Sequence, residues 1–92
     1  MDANKLLEVI KIYRDYFKEN EIPAMDFSET KNAPNPAEAL AHCHGMLAKM
    51  EEFIKEGRIE KVHRWLGFVQ GCLWMIGDFN LEDLRNHNRP KE

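Results

Sequence analysis

No stretch of this 92-residue chain approaches the roughly 20 consecutive apolar residues that a membrane-spanning helix requires. Charge of one sign is equally scarce. Thirteen Lys and Arg stand against sixteen Asp and Glu, a net charge of −3, so the basic excess of a phosphate-binding surface is missing and nucleic acid is not an expected partner. Only two cysteines occur, Cys43 and Cys72, both inside apolar helical patterns, which excludes a disulfide framework. The first residues, Met-Asp-Ala-Asn-Lys, lack the basic start and apolar run of a signal peptide. Reduced thiols and a cytoplasmic location are the expectation. No glycine-rich loop suited to cradling phosphate is present. No pair of carboxylates lies in apolar surroundings, which leaves general acid–base chemistry without a candidate.

What is present is helical periodicity in a chain of single-domain length. Leu6, Val9, Ile10, Tyr13, Tyr16 and Phe17 recur at three- and four-residue steps and predict a helix over about 2–19, with Asp2 to cap it and Asn20 to end it. The period is lost over 20–34, a long loop for so small a domain, with Met25 and Phe27 as its anchors. Asn35-Pro36-Ala37-Glu38 then reads as a helix start. Leu40, Cys43, Leu47, Met50 and Ile54 form a heptad-like seam on a helix over about 36–56, ended by Gly57. A matching seam, Ile59, Val62, Leu66, Val69, Leu73 and Ile76, predicts a helix over about 59–76, stopped by Gly77. The link between the seams is so short that the two helices must form an antiparallel hairpin, with Cys43 and Cys72 as neighbours. Asn80 caps a last short helix over about 81–87, with Phe79 and Leu84 as a hydrophobic staple. The expected fold is all-α: an antiparallel helical hairpin with an N-terminal helix and a short C-terminal one.

Few residues invite chemistry. In His42-Cys43-His44, neighbours on a helix diverge by about 100°, so the three side chains do not converge on one ion, and no metal is expected. They read as a core thiol flanked by surface imidazoles. Cys43 lies on the seam, where a thiol is buried and inert. The densest unusual stretch is Lys61-Val-His-Arg-Trp-Leu-Gly-Phe-Val-Gln-Gly-Cys-Leu-Trp74. Two helical glycines cost about 1 kcal/mol each relative to alanine. Gly67 and Gly71 fall on one face, and Gly45 is expected opposite Gly71, so all three are candidates for close packing. Trp65 and Phe68 widen the apolar arc beyond one seam, which requires a further cover: the first helix or a second copy of the chain. The candidate contact residues are Lys61, His63, Arg64, Trp65, Gln70 and Trp74, rich in the Trp and Arg that dominate interface hot spots.

Ala39-Leu-Ala-His-Cys-His-Gly-Met-Leu47, Gly57-Arg-Ile-Glu-Lys-Val-His-Arg-Trp-Leu-Gly-Phe-Val-Gln-Gly-Cys-Leu-Trp74 and Leu81-Glu-Asp-Leu-Arg-Asn-His-Asn-Arg-Pro90 together resemble small uncharacterised bacteriophage and prophage proteins. Arg64 and Trp65 followed by Gln70 and Gly71 are distantly similar to the helical-hairpin cyclic-nucleotide sponges of phages. The resemblance implies a non-catalytic accessory protein that binds a host protein, in a counter-defence role. With the surplus apolar surface of the third helix, the expected state is a homodimer in the cytoplasm of a bacterial host, without a cofactor. The alternative it implies is a sponge for a small anionic signalling ligand. A metal- or thiol-dependent enzyme is the third and least supported class.

Overall fold

Four α-helices carry these patterns in the computed structural model, which describes residues 1–28, 32 and 35–90: α1 (Ala3–Glu19), α2 (Pro36–Lys55), α3 (Ile59–Ile76) and α4 (Leu81–Asn88). Among the described residues there is no strand. Three of the four starts are fixed by side-chain caps. Asp2 accepts from the Lys5 N–H at 2.8 Å, and Asn35 from that of Glu38 at 2.9 Å. Asn80 and Asp83 close a reciprocal capping box, each accepting the other's backbone N–H at 2.8 and 3.0 Å. The ends are equally local in origin. Gly57 (φ +76°) and Gly77 (φ +89°) occupy the left-handed region and let the chain turn back with its carbonyls satisfied. At the end of α1 no glycine is available. Asn20 keeps a negative φ, and Glu21 takes the left-handed conformation (φ +57°) while the Ile22 N–H closes onto the Phe17 carbonyl at 2.9 Å.

α2 and α3 form the antiparallel hairpin. Cys43, Leu47 and Met50 of α2 meet Val62, Leu66, Val69 and Leu73 of α3 in one core. α1 lies across the hairpin and contributes Leu6, Val9, Ile10, Tyr13 and Phe17, all fully buried. Arg14 of α1 grips Glu51 of α2 through both guanidinium nitrogens, one of them at 3.0 Å, which fixes the register of the two helices. α4 closes the end of the molecule. Leu84 enters the core, and the Phe79 ring lies 4.9 Å from those of Tyr16 and His87.

The described part of the predicted loop runs back over α2 as an extended strap, and its anchors correct the sequence reading. Met25 does not bury its side chain, which is 45% exposed; its backbone N–H bonds the Ala41 carbonyl at 3.0 Å instead. Phe27 is half-buried, and its N–H donates to His42 Nδ1 at 3.2 Å. His44 Nδ1 donates to the Ile22 carbonyl at 2.8 Å, and its ring lies against Phe17. The two imidazoles beside Cys43 are therefore clamps for the strap rather than free surface groups. Residues 29–31, 33 and 34 of the predicted loop lie outside the described residues.

Candidate functional site

The residues singled out on α3 separate onto different sides of the helix. Gln70 turns inward. Its Nε2 donates to the Tyr13 hydroxyl at 2.9 Å and to Asn88 Oδ1 at 2.8 Å, and its Oε1 accepts from Asn88 Nδ2 at 3.2 Å. The Tyr13 hydroxyl also shares a hydrogen bond with His87 Nδ1, 2.9 Å away. This network ties α1, α3 and α4 together. It assigns Gln70 to the fold rather than to an outward contact. Tyr13 is pushed up to about 12, chiefly by burial, while burial holds His87 below its ordinary value. Sequence reasoning missed the network. A Gln next to the Val69 seam position carries no periodicity signal that would have revealed it.

His63 donates through Nε2 to the Met1 carbonyl at 3.3 Å and faces the start of α1. Lys61 is half-buried with its ammonium 4.4 Å from the Phe53 ring centre, and Trp65 meets the same ring edge-on at 4.9 Å. Lys61 and Trp65 thus build a small aromatic–cation cluster at the hairpin turn.

The glycines also differ from the expectation. Gly45 faces the strap, not Gly71, since a Cβ at position 45 would collide with the Met25 carbonyl. A Cβ at Gly67 or Gly71 would meet nothing within 4 Å. Their absence of side chains serves no contact inside the protomer, although each costs about 1 kcal/mol of helix propensity.

That open side of α3 is the largest irregularity of the surface. Gly67, Phe68, Gly71, Trp74 and Met75 are all exposed and share one helical face, with Phe68, Trp74 and Met75 at 53, 50 and 81%. The other outward helix faces carry charge in the ordinary way, as with Lys11, Asp15 and Lys18 on α1 and Lys49, Glu52 and Lys55 on α2. Arg64 lies one turn before the apolar stretch, exposed, with no ion pair or hydrogen bond among the described residues.

Beside Arg64, α2, α3 and the strap enclose a groove of about 430 Å³ lined by Phe27, His42, Lys49, Arg64, Trp65 and Phe68, with Asp26 and Met46 completing the wall. The volume is within the range of small-molecule sites. Since His42 Nδ1 accepts from Phe27, the ring proton is on Nε2, leaving a donor there. Lys49 is engaged by Asp26 at 3.0 Å. Gln70 and Trp74 do not line this groove.

Cys43 and Cys72 are free thiols that face each other across the hairpin. The interaction with Cys72, together with burial, raises Cys43, and the interaction with Cys43 lowers Cys72 to about 7. Among the described residues no three His, Cys, Asp or Glu side chains gather as a metal site would need, and no helix is long and apolar enough to cross a membrane. Comparison with family models, curated proteins and solved structures returns no match to this chain.

Proposed function

We propose that this chain is a non-catalytic binding protein that docks a protein partner on the outward face of α3. The observation that carries the reading is the exposed face from Gly67 to Met75, which holds two aromatic rings, a methionine and two glycines and no charged side chain, with Arg64, which has no partner among the described residues, at its edge. A solvated helix face is ordinarily polar, and an apolar–aromatic patch with an arginine at its rim is the composition of a protein contact. The resemblance to small uncharacterised phage proteins supports a host protein as that partner, with binding in a counter-defence role in a bacterial cytoplasm as the proposal.

The test is capture from bacterial lysate on immobilised parent chain, with Trp74→Glu as the control, and identification of whatever only the parent retains. Arg64→Ala then separates a contact from a structural role. Because Arg64 has no partner to lose among the described residues, the variant should melt with the parent and bind the captured protein about 2 kcal/mol more weakly. Unchanged binding, or a collapse in melting temperature, would refute the assignment.

A second reading, a sponge for a small anionic ligand such as a cyclic nucleotide, is favoured by one observation. Arg64, Lys49 and the His42 Nε2 donor border a groove with the aromatic wall of Trp65 and Phe27. Calorimetry with cyclic dinucleotides decides it: heat with the parent that is absent with Arg64→Ala supports the sponge, and no heat with the parent removes it.

A further inference from the structure

We infer that the first occupant of the α3 face is a second copy of this chain, bound antiparallel about a two-fold axis through Gly71. The inference rests on the reading of this face as a protein-docking surface and names what docks there.

Two properties of the face select a copy of itself. The first is size complementarity. In an antiparallel helix pair centred on Gly71, positions equally spaced before and after it oppose one another. Gly71 meets the partner's Gly71, Phe68 meets the partner's Trp74, and Gly67 meets the partner's Met75. Backbones approach where neither helix has a side chain, the aromatic rings stack at both flanks, and Met75, the most exposed large apolar side chain among the described residues at 81%, covers the position that lacks one. The open space above Gly67 and Gly71, unexplained inside the protomer, is what such an approach requires.

The second property is charge. The start of α3 is basic, with Arg58, Lys61 and Arg64 against Glu60 alone, and the first residues after its end are acidic, Asp78, Glu82 and Asp83 coming before Arg85 and Arg89. An antiparallel pair lays the basic end of each copy towards the acidic end of the other. A parallel pair would stack like on like. The two-fold arrangement also closes on itself, because the same face of each copy is used once.

Sedimentation velocity of the full chain across concentration tests this. The parent is expected to dimerise at high micromolar concentration. Phe68→Lys and Trp74→Glu, both at exposed positions, should stay folded by circular dichroism and each weaken the dimer about thirtyfold or more, the scale of a hot-spot residue. Gly71→Leu, which fills the axis, should do the same. The register gives a sharper result. An equimolar mixture of Phe68→Lys and Trp74→Glu should regain dimer, because one flank then sets the introduced lysine against the introduced glutamate while the other keeps its native ring pair. A parent that sediments as a monomer, a dimer indifferent to these substitutions, or a mixture that stays monomeric overturns the proposal. A monomeric parent that still captures a different protein, and loses it on Trp74→Glu, overturns the second copy as occupant and leaves the docking face standing.

Discussion

Gly45→Ala is a demanding test of the fold, because helix propensity and tertiary contact oppose each other at this position. Alanine in a helix interior gains about 1 kcal/mol over glycine. At position 45 the added methyl would collide with the carbonyl of Met25, which is backbone and cannot rotate aside. The strap must lift. Lifting breaks the Met25 N–H bond to Ala41 at 3.0 Å and strains those from Phe27 to His42 at 3.2 Å and from His44 to Ile22 at 2.8 Å. Two to three hydrogen bonds at about 1 kcal/mol each outweigh the propensity gain. The net loss is about 1–2 kcal/mol, or a fall of roughly 4–16 °C in melting temperature for a domain of this size. Gly67→Ala is the matched control. Its methyl meets nothing within 4 Å, so, at dilution low enough to keep the chain monomeric, it should melt roughly 4–8 °C above the parent. Thermal melts by circular dichroism read both values, and amide exchange at Met25 reports whether the strap has lifted. A Gly45→Ala protein that melts at or above the parent refutes the placement of the strap.

Tyr13→Phe should cost about 1–3 kcal/mol in chemical denaturation, because it strips Gln70 of an acceptor and His87 Nδ1 of its partner while saving no volume; a neutral result would remove the network as a support for α4. Glu21→Gly should stabilise by about 0.5–1 kcal/mol, since it relieves a left-handed non-glycine residue at a modest entropic cost in the unfolded chain, and a destabilised variant would refute the turn geometry. Burial holds His87 below its ordinary value, so as pH falls the unfolded chain takes up this proton before the folded one. The contribution is whole above the unfolded value of about 6.5 and is lost as pH drops towards the folded value, with a slope of at most about 1.4 kcal/mol per pH unit. Denaturation series across this range should show that slope in the parent and a shallower one in His87→Asn; equal slopes would refute the assignment.

The hairpin was legible because it is written locally. Two heptad seams and a short glycine-bearing link leave one way to fold, and the caps at Asn35 and Asn80 act within three residues of themselves. What the sequence did not disclose depends on residues distant in the chain. Tyr13, Gln70, His87 and Asn88 belong to three different helices, and no periodicity marks a polar residue as one corner of a buried network. The same holds for His42 and His44. Helix geometry correctly says that they flank Cys43 on diverging sides, but not that a strap crosses the helix and bonds to both. Gly45, Gly67 and Gly71 were indistinguishable as helical glycines. Their environments separate them, one beneath a backbone carbonyl and two beneath open space. That contrast bears on function. A glycine under the strap is accounted for by the protomer's own fold, whereas two exposed glycines between aromatic side chains lower the stability of the monomer and contribute nothing to it in return. The proposed docking on this face gives that pattern a physical role. Arg64 belongs to the same argument, because an exposed guanidinium with no partner among the described residues, next to an uncharged face, is free to pair with a carboxylate that a docked surface brings to it.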